Sequence, residues 1–209
     1  MIIYTANFGH FDKTQENEEQ ELPEGVEAIE YWRCTDEDFP PRFNAMTPRL
    51  QARIVKMFGW QFRPDHDIYL WVDSSTRLCR PDSAKWFVEQ LGDKDMEFFR
   101  HNRRKTIQEE ADYLKHRLSI GCPYVTPRYE GEDIDGALSE ADPNGQLFAS
   151  TVFIYRPTTE VRQALKAWWV ATARFHSIDQ LSLTEAIKGV SYNVINEDYL
   201  KVPYLEHTR

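Results

Sequence analysis

The chain has 209 residues, with 34 acidic and 25 basic side chains and a formal net charge of -9 at pH 7. This length predicts one sizeable domain and excludes a second large one. The acidic balance argues against broad, non-specific binding of nucleic acid, which depends on Lys and Arg at phosphates, although it leaves room for a local basic site.

Neither export nor membrane insertion is indicated. The first residues, MIIYTANF, lack the basic region, long apolar segment and cleavage site of an export signal. No apolar run approaches the ~20 residues that cross a bilayer. Cys34, Cys79 and Cys122 lie in no CxxC or Cys/His spacing, which argues against a disulfide framework and a zinc site. We therefore expect a cytoplasmic protein.

The first half of the chain alternates between strand and helix patterns. Strands rich in β-branched and aromatic residues are predicted at 2–8, 26–32, 67–72 and 96–101. A helix is predicted from Thr47 to Gly59, followed by helices at 83–91 and from a T-x-x-E capping box at Thr106. The core face predicted for the first helix comprises Leu50, Ile54, Met57 and Phe58.

The second half continues this alternation. Residues 123–145 are acidic and rich in Gly and Pro, which predicts a substrate loop or lid. A strand follows at 147–155, then a helix after Pro157 that carries Trp168 and Trp169, and a last helix that begins at Ser177. This order predicts an α/β fold, a single domain over residues 1–209 whose mainly parallel central sheet is flanked by helices.

The segment WVDSS ends a strand that is apolar on both faces. In open α/β sheets, ligands collect outside the carboxyl ends of the strands, which is where Asp73 falls. Together with Ser75, it offers hard oxygen ligands for Mg²⁺ or Mn²⁺, ions that bridge diphosphate oxygens. The alternative on the same residues is that Asp73 only caps a turn.

Two basic groups are candidates for binding an anion. Arg49, Arg53 and Lys56 fall at i, i+4 and i+7 of the first predicted helix, a stripe that either lines a cleft or is a solvated face. Residues 100–105, RHNRRK, lie between a strand and a helix N-terminus, where a phosphate site and a surface cluster are equally compatible with the pattern.

Taken in order, the motifs resemble a known family. YTANFG, R-x-x-K at residues 53–56, WVDSS, RHNRRKTIQEEA, STVFIYR, a tryptophan pair and SIDQLS are similar to the uncharacterised glycosyltransferase-like family of the TOD1/MUCI70 type. The resemblance covers residues 3–183. It implies a GT-A fold and a metal-dependent transferase that moves a sugar from a nucleotide-sugar donor, with UDP as the expected nucleotide and Mn²⁺ or Mg²⁺ as the cofactor.

The resemblance also implies site residues. WVDSS corresponds to the metal motif, a D-x-D variant in which Ser75 replaces the second carboxylate, and His207 would complete the site with Asp73. Asp179 and Gln180 would be the catalytic residues beside the reacting sugar. The implied donor contacts are Thr5, Asn7, Arg53, Lys56, His101, Arg103 and Arg104, with the first two at the nucleoside and with Arg53 and Lys56 at the diphosphate.

The acceptor and two other functional classes stay open at this stage. The acceptor could be a carbohydrate such as a polysaccharide, or a modified base of DNA in a phage-like setting. A metal-dependent hydrolase would use Asp73 and Asp179 with a metal-bound water. A non-catalytic carbohydrate- or nucleotide-binding module would keep the cleft without the chemistry, and Ser75 in the second metal position favours that alternative.

Overall fold

The computed structural model describes residues 1–9, 12–13, 15–39, 46–175 and 178–207. Within these residues the chain forms eight strands and seven helices. The strands are β1 (Ile2–Asn7), β2 (Glu30–Thr35), β3 (Tyr69–Val72), β4 (Thr76–Leu78), β5 (Met96–Arg100), β6 (Phe148–Tyr155), β7 (Tyr192–Ile195) and β8 (Leu205–His207). The helices are α1 (Pro48–Phe62), α2 (Ser83–Leu91), α3 (Ile107–Ser119), α4 (Thr126–Tyr129), α5 (Ile134–Ser139), α6 (Thr159–Phe175) and α7 (Asp179–Ala186).

The central sheet has six strands in the order β2-β1-β3-β6-β5-β7. β1 is parallel to β2 and β3, and β5 is parallel to β7, whereas β6 runs antiparallel to β3 and β5. Every strand of this sheet except β6 therefore points in one direction. The predicted α/β fold with a mainly parallel sheet is confirmed. The reversal of β6 could not be predicted, because a strand buried on both faces is apolar throughout in either direction.

Side chains alternate between the two faces of the sheet, and both faces are covered. Tyr4 and Trp71 lie on the face that packs against α1, α6 and α7. Ile3 and Leu70 lie on the opposite face, against α2. Trp168 of α6 is fully buried in the first of these cores. It therefore contributes to packing.

Helix α1 begins where the sequence predicted but ends later. The hydroxyl of Thr47 caps its first turn. The helix is kinked at Phe58, directly before Gly59, where the sequence predicts its end, and it then continues to Phe62. A Cβ atom on Gly59 would lie 2.5 Å from the ring of Tyr4. Glycine is therefore required here for the close approach of α1 to β1, and its position does not mark a helix end.

The buried face of α1 also differs from the prediction. Leu50 and Ile54 are only partly buried. The buried residues are Gln51, Val55, Lys56, Met57 and Gly59. Lys56 lies in this face because acidic side chains from α7 and from the turn after β3 pair with it, and hydrophobic periodicity carries no information about such partners.

Two other boundaries differ. The strand predicted at 26–32 lies at Glu30–Thr35, because pairing with β1 places Ile2 opposite Glu30. Helix α7 begins at Asp179, and its N-cap is Ile178, which makes no side-chain capping bond. Ser177, the predicted start, lies outside the described residues.

Two segments bring distant parts of the chain to the carboxyl edge of the sheet. β4 and β8 form a two-stranded antiparallel sheet in which Thr76 pairs with His207, so His207 is held in a strand close to the turn of Asp73. Residues 123–145 contain α4 and α5, and Val125 and Ile134 join a hydrophobic cluster with α3. Among the helices of the described residues, none combines the length and the apolar character needed to span a bilayer.

Candidate active site

The site is built around Asp73, which follows β3 at the carboxyl edge of the sheet. Its backbone N–H donates to the carbonyl of Thr151 at 2.8 Å, and its carbonyl accepts from the N–H of Thr76 at 2.8 Å. The turn is therefore closed by backbone groups. The Asp73 carboxylate instead accepts a hydrogen bond from Nε1 of Trp71 at 2.7 Å, and the side chain is 29% exposed. Asp73 thus presents a fixed carboxylate at this edge.

A buried ion cluster lies directly behind Asp73. Nζ of Lys56 is 2.9 Å from Oδ2 of Asp179 and 3.6 Å from Oδ1 of Asp73. Nε of Arg53 is 3.3 Å from Oδ2 of Asp179, although it is not aligned for a hydrogen bond. The side chain of Lys56 is 0% exposed and that of Asp179 is 5% exposed. The cluster joins two cations of α1 to two carboxylates, one from the turn after β3 and one from α7.

The pKa values in this cluster reflect burial and pairing together. Burial favours the neutral carboxyl, but the nearby charges of Arg53 and Lys56 outweigh it and hold the pKa of Asp179 below its usual value. Burial lowers the pKa of Lys56, and the charges of Asp179 and Asp73 oppose that change. Asp179 is therefore held as an ionised carboxylate at neutral pH.

Neutral groups fix the orientation of Asp179. The hydroxyl of Ser150, on β6, donates to Oδ2 of Asp179 at 3.2 Å. The indole of Trp168 donates to the backbone carbonyl of Asp179 at 2.7 Å. Nε2 of Gln180 donates to the carbonyl of Phe148 at 3.3 Å. The start of α7, with both predicted catalytic residues, is thus held against β6 and α6.

The remaining cation of the α1 stripe contacts the segment 123–145. Nη2 of Arg49 donates to the hydroxyl of Tyr129 at 2.5 Å, and its guanidinium lies 4.1 Å from the centre of that ring. Nη1 of Arg49 also donates to the carbonyl of Arg128 at 3.3 Å. The α1 stripe therefore faces the interior of the site, and α4 covers one end of it.

A cleft of about 420 Å³ adjoins Asp73 on the β1 side. Its lining residues are Ile3, Tyr4, Thr5, Asn7, Gln15, Glu16, Asn17, Glu18, Glu19, Tyr31, Trp32, Arg33, Val72, Ser74 and Thr76. Oγ1 of Thr5 is buried and has no hydrogen-bond partner among the described residues. Asn7 donates to the carbonyl of Asp12 at 2.8 Å, and Ser74 donates to the Asp12 carboxylate. The cleft thus contains both predicted nucleoside contacts and reaches the turn that carries Asp73.

The basic cluster after β5 is largely occupied by internal contacts. Nδ1 of His101 lies 3.3 Å and 3.0 Å from the backbone N–H groups of Arg103 and Arg104, as their acceptor. Burial, with the charge of Arg104 nearby, lowers the pKa of His101 to about 4. Arg104 pairs with the buried carboxylate of Glu110 and stacks 4.0 Å from the ring centre of Tyr113. Of the three predicted donor contacts in this cluster, His101 and Arg104 are partly buried and Arg103 is exposed.

A divalent cation would find few protein ligands here. The described residues contain no group of three or more His, Cys, Asp or Glu side chains that could hold a metal ion. Nδ1 of His207 lies 3.0 Å from the hydroxyl of Thr76, three residues beyond Asp73. Since Mg²⁺ commonly takes one or two carboxylates and completes its shell with substrate phosphates and water, the single carboxylate of Asp73 is compatible with a cation that arrives with a diphosphate.

Of three comparisons with known proteins, the one with solved structures finds matches to this chain. No protein-family model matches the chain, and no curated protein matches it. An active-site mutant of LgtC is 11% identical, with a TM-score of 0.47, over 100% of this chain and 87% of that chain. The galactosyltransferase LgtC in complex with donor and acceptor sugar analogues is 13% identical, with a TM-score of 0.45, over 92% and 73%. A glycosyltransferase involved in the glycosylation of the major capsid of PBCV-1 is 12% identical, with a TM-score of 0.44, over 80% and 68%. At such low TM-scores the likeness does not define an activity.

Sequence reasoning missed several residues that hold the site together. Trp71 and Ser150 lie within apolar strands, and nothing in the pattern distinguishes them from core residues. Tyr129 lies in a segment with no clear periodicity. Arg49, which holds Tyr129, is different, because its helical spacing to Arg53 places it on the predicted cationic stripe.

Proposed function

We propose that this protein is a GT-A-like glycosyltransferase that transfers a sugar from a nucleotide-sugar donor with the help of a divalent cation. One observation carries the proposal: the cleft beside β1 opens at the turn of Asp73, and that turn lies against a cluster of two carboxylates and two cations. An elongated ligand with a neutral end and a charged middle would match this arrangement.

The charge distribution suggests how the donor lies. Glu16, Glu18 and Glu19 line the cleft together with one cation, Arg33, which pairs with Glu16. The lining is therefore negative on balance and would favour an uncharged nucleoside over a diphosphate. The unpartnered hydroxyl of Thr5 could bond to the nucleoside, because a buried polar group without a partner is unfavourable. The diphosphate would then lie at the edge formed by Ser74 and Asp73.

Glycosyl transfer builds negative charge on the departing diphosphate and positive charge on the sugar. A divalent cation, held by Asp73 and His207, would supply positive charge at the diphosphate. Arg53 would contribute a further positive charge from α1. Asp179 would face the sugar as a fixed carboxylate, and the amide of Gln180 would help to orient the sugar.

Several finer assignments belong to this proposal. UDP is the first nucleotide to test, and membership of the TOD1/MUCI70 type rests on the motif order. The acceptor would be a carbohydrate or a modified base of DNA. Cys34, Cys79 and Cys122 are all free thiols in the structure, which suits a cytoplasmic location.

The proposal is tested by a thermal-shift screen of nucleoside diphosphates and nucleotide sugars, with and without Mn²⁺. A ligand at 100 times its Kd adds about 2.7 kcal/mol to the apparent stability. We expect a Mn²⁺-dependent shift for one nucleotide, and we expect Asp73→Asn to remove the Mn²⁺ dependence. Asp93→Asn is the matched control, because Asp93 is 86% exposed and precedes β5 at the opposite edge of the sheet.

Turnover separates the functional classes. The nucleotide sugar that raises the melting temperature is then incubated with the protein. Slow release of nucleoside diphosphate would support a transferase if a pool of carbohydrate acceptors accelerates it. Nucleotide binding with no turnover would indicate a binding module. The absence of a shift with every nucleotide would refute the proposal.

A further inference from the structure

We propose that Lys56 is a positioning residue that joins Asp73 to Asp179 and competes with the divalent cation for Asp73, so that cation binding depends on the donor. This inference rests on the proposed function. It differs from the role implied by the family resemblance, in which Lys56 contacts the donor diphosphate.

The first step is the inaccessibility of Lys56. Its side chain has no exposed surface. Its ammonium lies 5.5, 5.9 and 5.6 Å from the ring centres of Trp71, Phe153 and Trp168. These rings and the two carboxylates enclose the charge. A donor phosphate cannot contact Lys56 without displacing core side chains, so Lys56 acts through its neighbours.

The second step is the charge that Lys56 balances. Nζ lies between the carboxylates of Asp179, at 2.9 Å, and Asp73, at 3.6 Å. Without the ammonium, Asp179 would keep Arg53 as its cationic partner, whereas no other ion pair within the described residues involves Asp73. Asp73 is 29% exposed, so water would screen its charge in part, but it would lose the ammonium beside it. The ammonium of Lys56 therefore lies between the two carboxylates and links them.

The third step concerns the cation. A divalent ion at Asp73 would lie near the positive charge of Lys56, and both would draw on the same carboxylate. Lys56 should therefore weaken the binding of free Mn²⁺ to Asp73. The diphosphate of a donor brings negative charges and oxygen ligands, which overcome that repulsion. Cation and nucleotide should then bind with positive coupling, whose usual range is roughly 5–150-fold.

The test measures the Mn²⁺ affinity directly, by the electron paramagnetic resonance signal of free Mn²⁺, with and without UDP or whichever nucleoside diphosphate the screen selects. We expect Lys56→Met to bind free Mn²⁺ about tenfold more tightly than the wild type, with a smaller gain on adding nucleotide. Lys188→Met, which removes a largely exposed lysine of an i,i+3 surface pair, should leave both affinities unchanged.

A second pair of variants covers the case in which Lys56→Met does not fold. Lys56→Met/Asp179→Asn removes one charge of each sign from the buried cluster, and it should bind free Mn²⁺ more tightly than Asp179→Asn alone. A structural role alone would not raise the cation affinity. If Lys56→Met keeps the wild-type affinity for Mn²⁺ but loses affinity for the nucleotide, the inference is overturned, and Lys56 contacts the donor diphosphate directly. If the wild type binds the nucleotide but never Mn²⁺, the inference fails while the donor site stands.

Discussion

Glu97 offers a sharp test of the structure, because it is a carboxylate buried inside the sheet. It lies on β5, is 2% exposed, and its Oε2 has no hydrogen-bond partner among the described residues. Burial, with a smaller contribution from Glu197, raises its pKa from 4.5 to about 8. The folded protein therefore holds Glu97 protonated at neutral pH.

The sign and size of the effect follow from linkage. Below pH 4.5 the folded and unfolded states both carry a neutral Glu97. Between pH 4.5 and 8 only the unfolded state loses the proton, so the free energy of unfolding falls with rising pH. At pH 7 the free energy of unfolding is about 3 kcal/mol lower than it would be below pH 4.5, and above pH 8 it changes little further. Glu97→Gln removes this titration.

The assay is urea unfolding of the wild type and Glu97→Gln at several pH values from 5 to 8.5. We expect the difference in free energy of unfolding to grow in favour of the variant as the pH rises, whatever its value at pH 5. Glu197→Gln, which alters only the smaller contribution, should retain most of the wild-type slope. Parallel curves for the wild type and Glu97→Gln across this range would refute the reasoning.

Three further predictions concern packing, capping and the site. Gly59→Ala should lower the free energy of unfolding by about 1–3 kcal/mol, because its Cβ would overlap the ring of Tyr4; thermal unfolding checks this, and an unchanged melting temperature would contradict it. Thr106→Ala should lower the free energy of unfolding by about 1 kcal/mol through loss of the α3 cap, whereas Thr106→Ser should retain the cap. Urea unfolding of the two variants checks this. Trp71→Phe removes the indole hydrogen bond to Asp73 and should weaken Mn²⁺-dependent nucleotide binding several-fold in a thermal-shift titration, while equal affinity would show that Trp71 only packs.

The sequence predicts the location of the site better than its internal contacts. Asp73 could be placed at the edge because it ends a strand that is apolar on both faces, and ligands of such sheets collect there. The capping box at Thr106 was likewise readable, and the structure shows Thr106 Oγ1 accepting from the N–H of Glu109 at 3.2 Å. Both signals are local in sequence.

Contacts between distant segments were not readable. The spacing of Arg53 and Lys56 indicated a cationic stripe, but whether it faced solvent depended on Asp179, which lies 123 residues beyond Lys56. Even over six residues, the sequence pattern does not distinguish an Arg104 that is free to bind an anion from one that pairs with Glu110, as it does in the structure. β4 and β8 are each three residues long, too short to give a periodic signal.

The pairing of β4 with β8 has a consequence for how the protein folds. His207 meets Thr76 across a sequence separation of 131 residues. Closing such long loops is entropically unfavourable until many other contacts have formed, and proteins rich in long-range contacts fold slowly. The edge around Asp73 should therefore be among the last parts to assemble, and a nucleotide that binds there would report the completion of folding more faithfully than a measure of helix content.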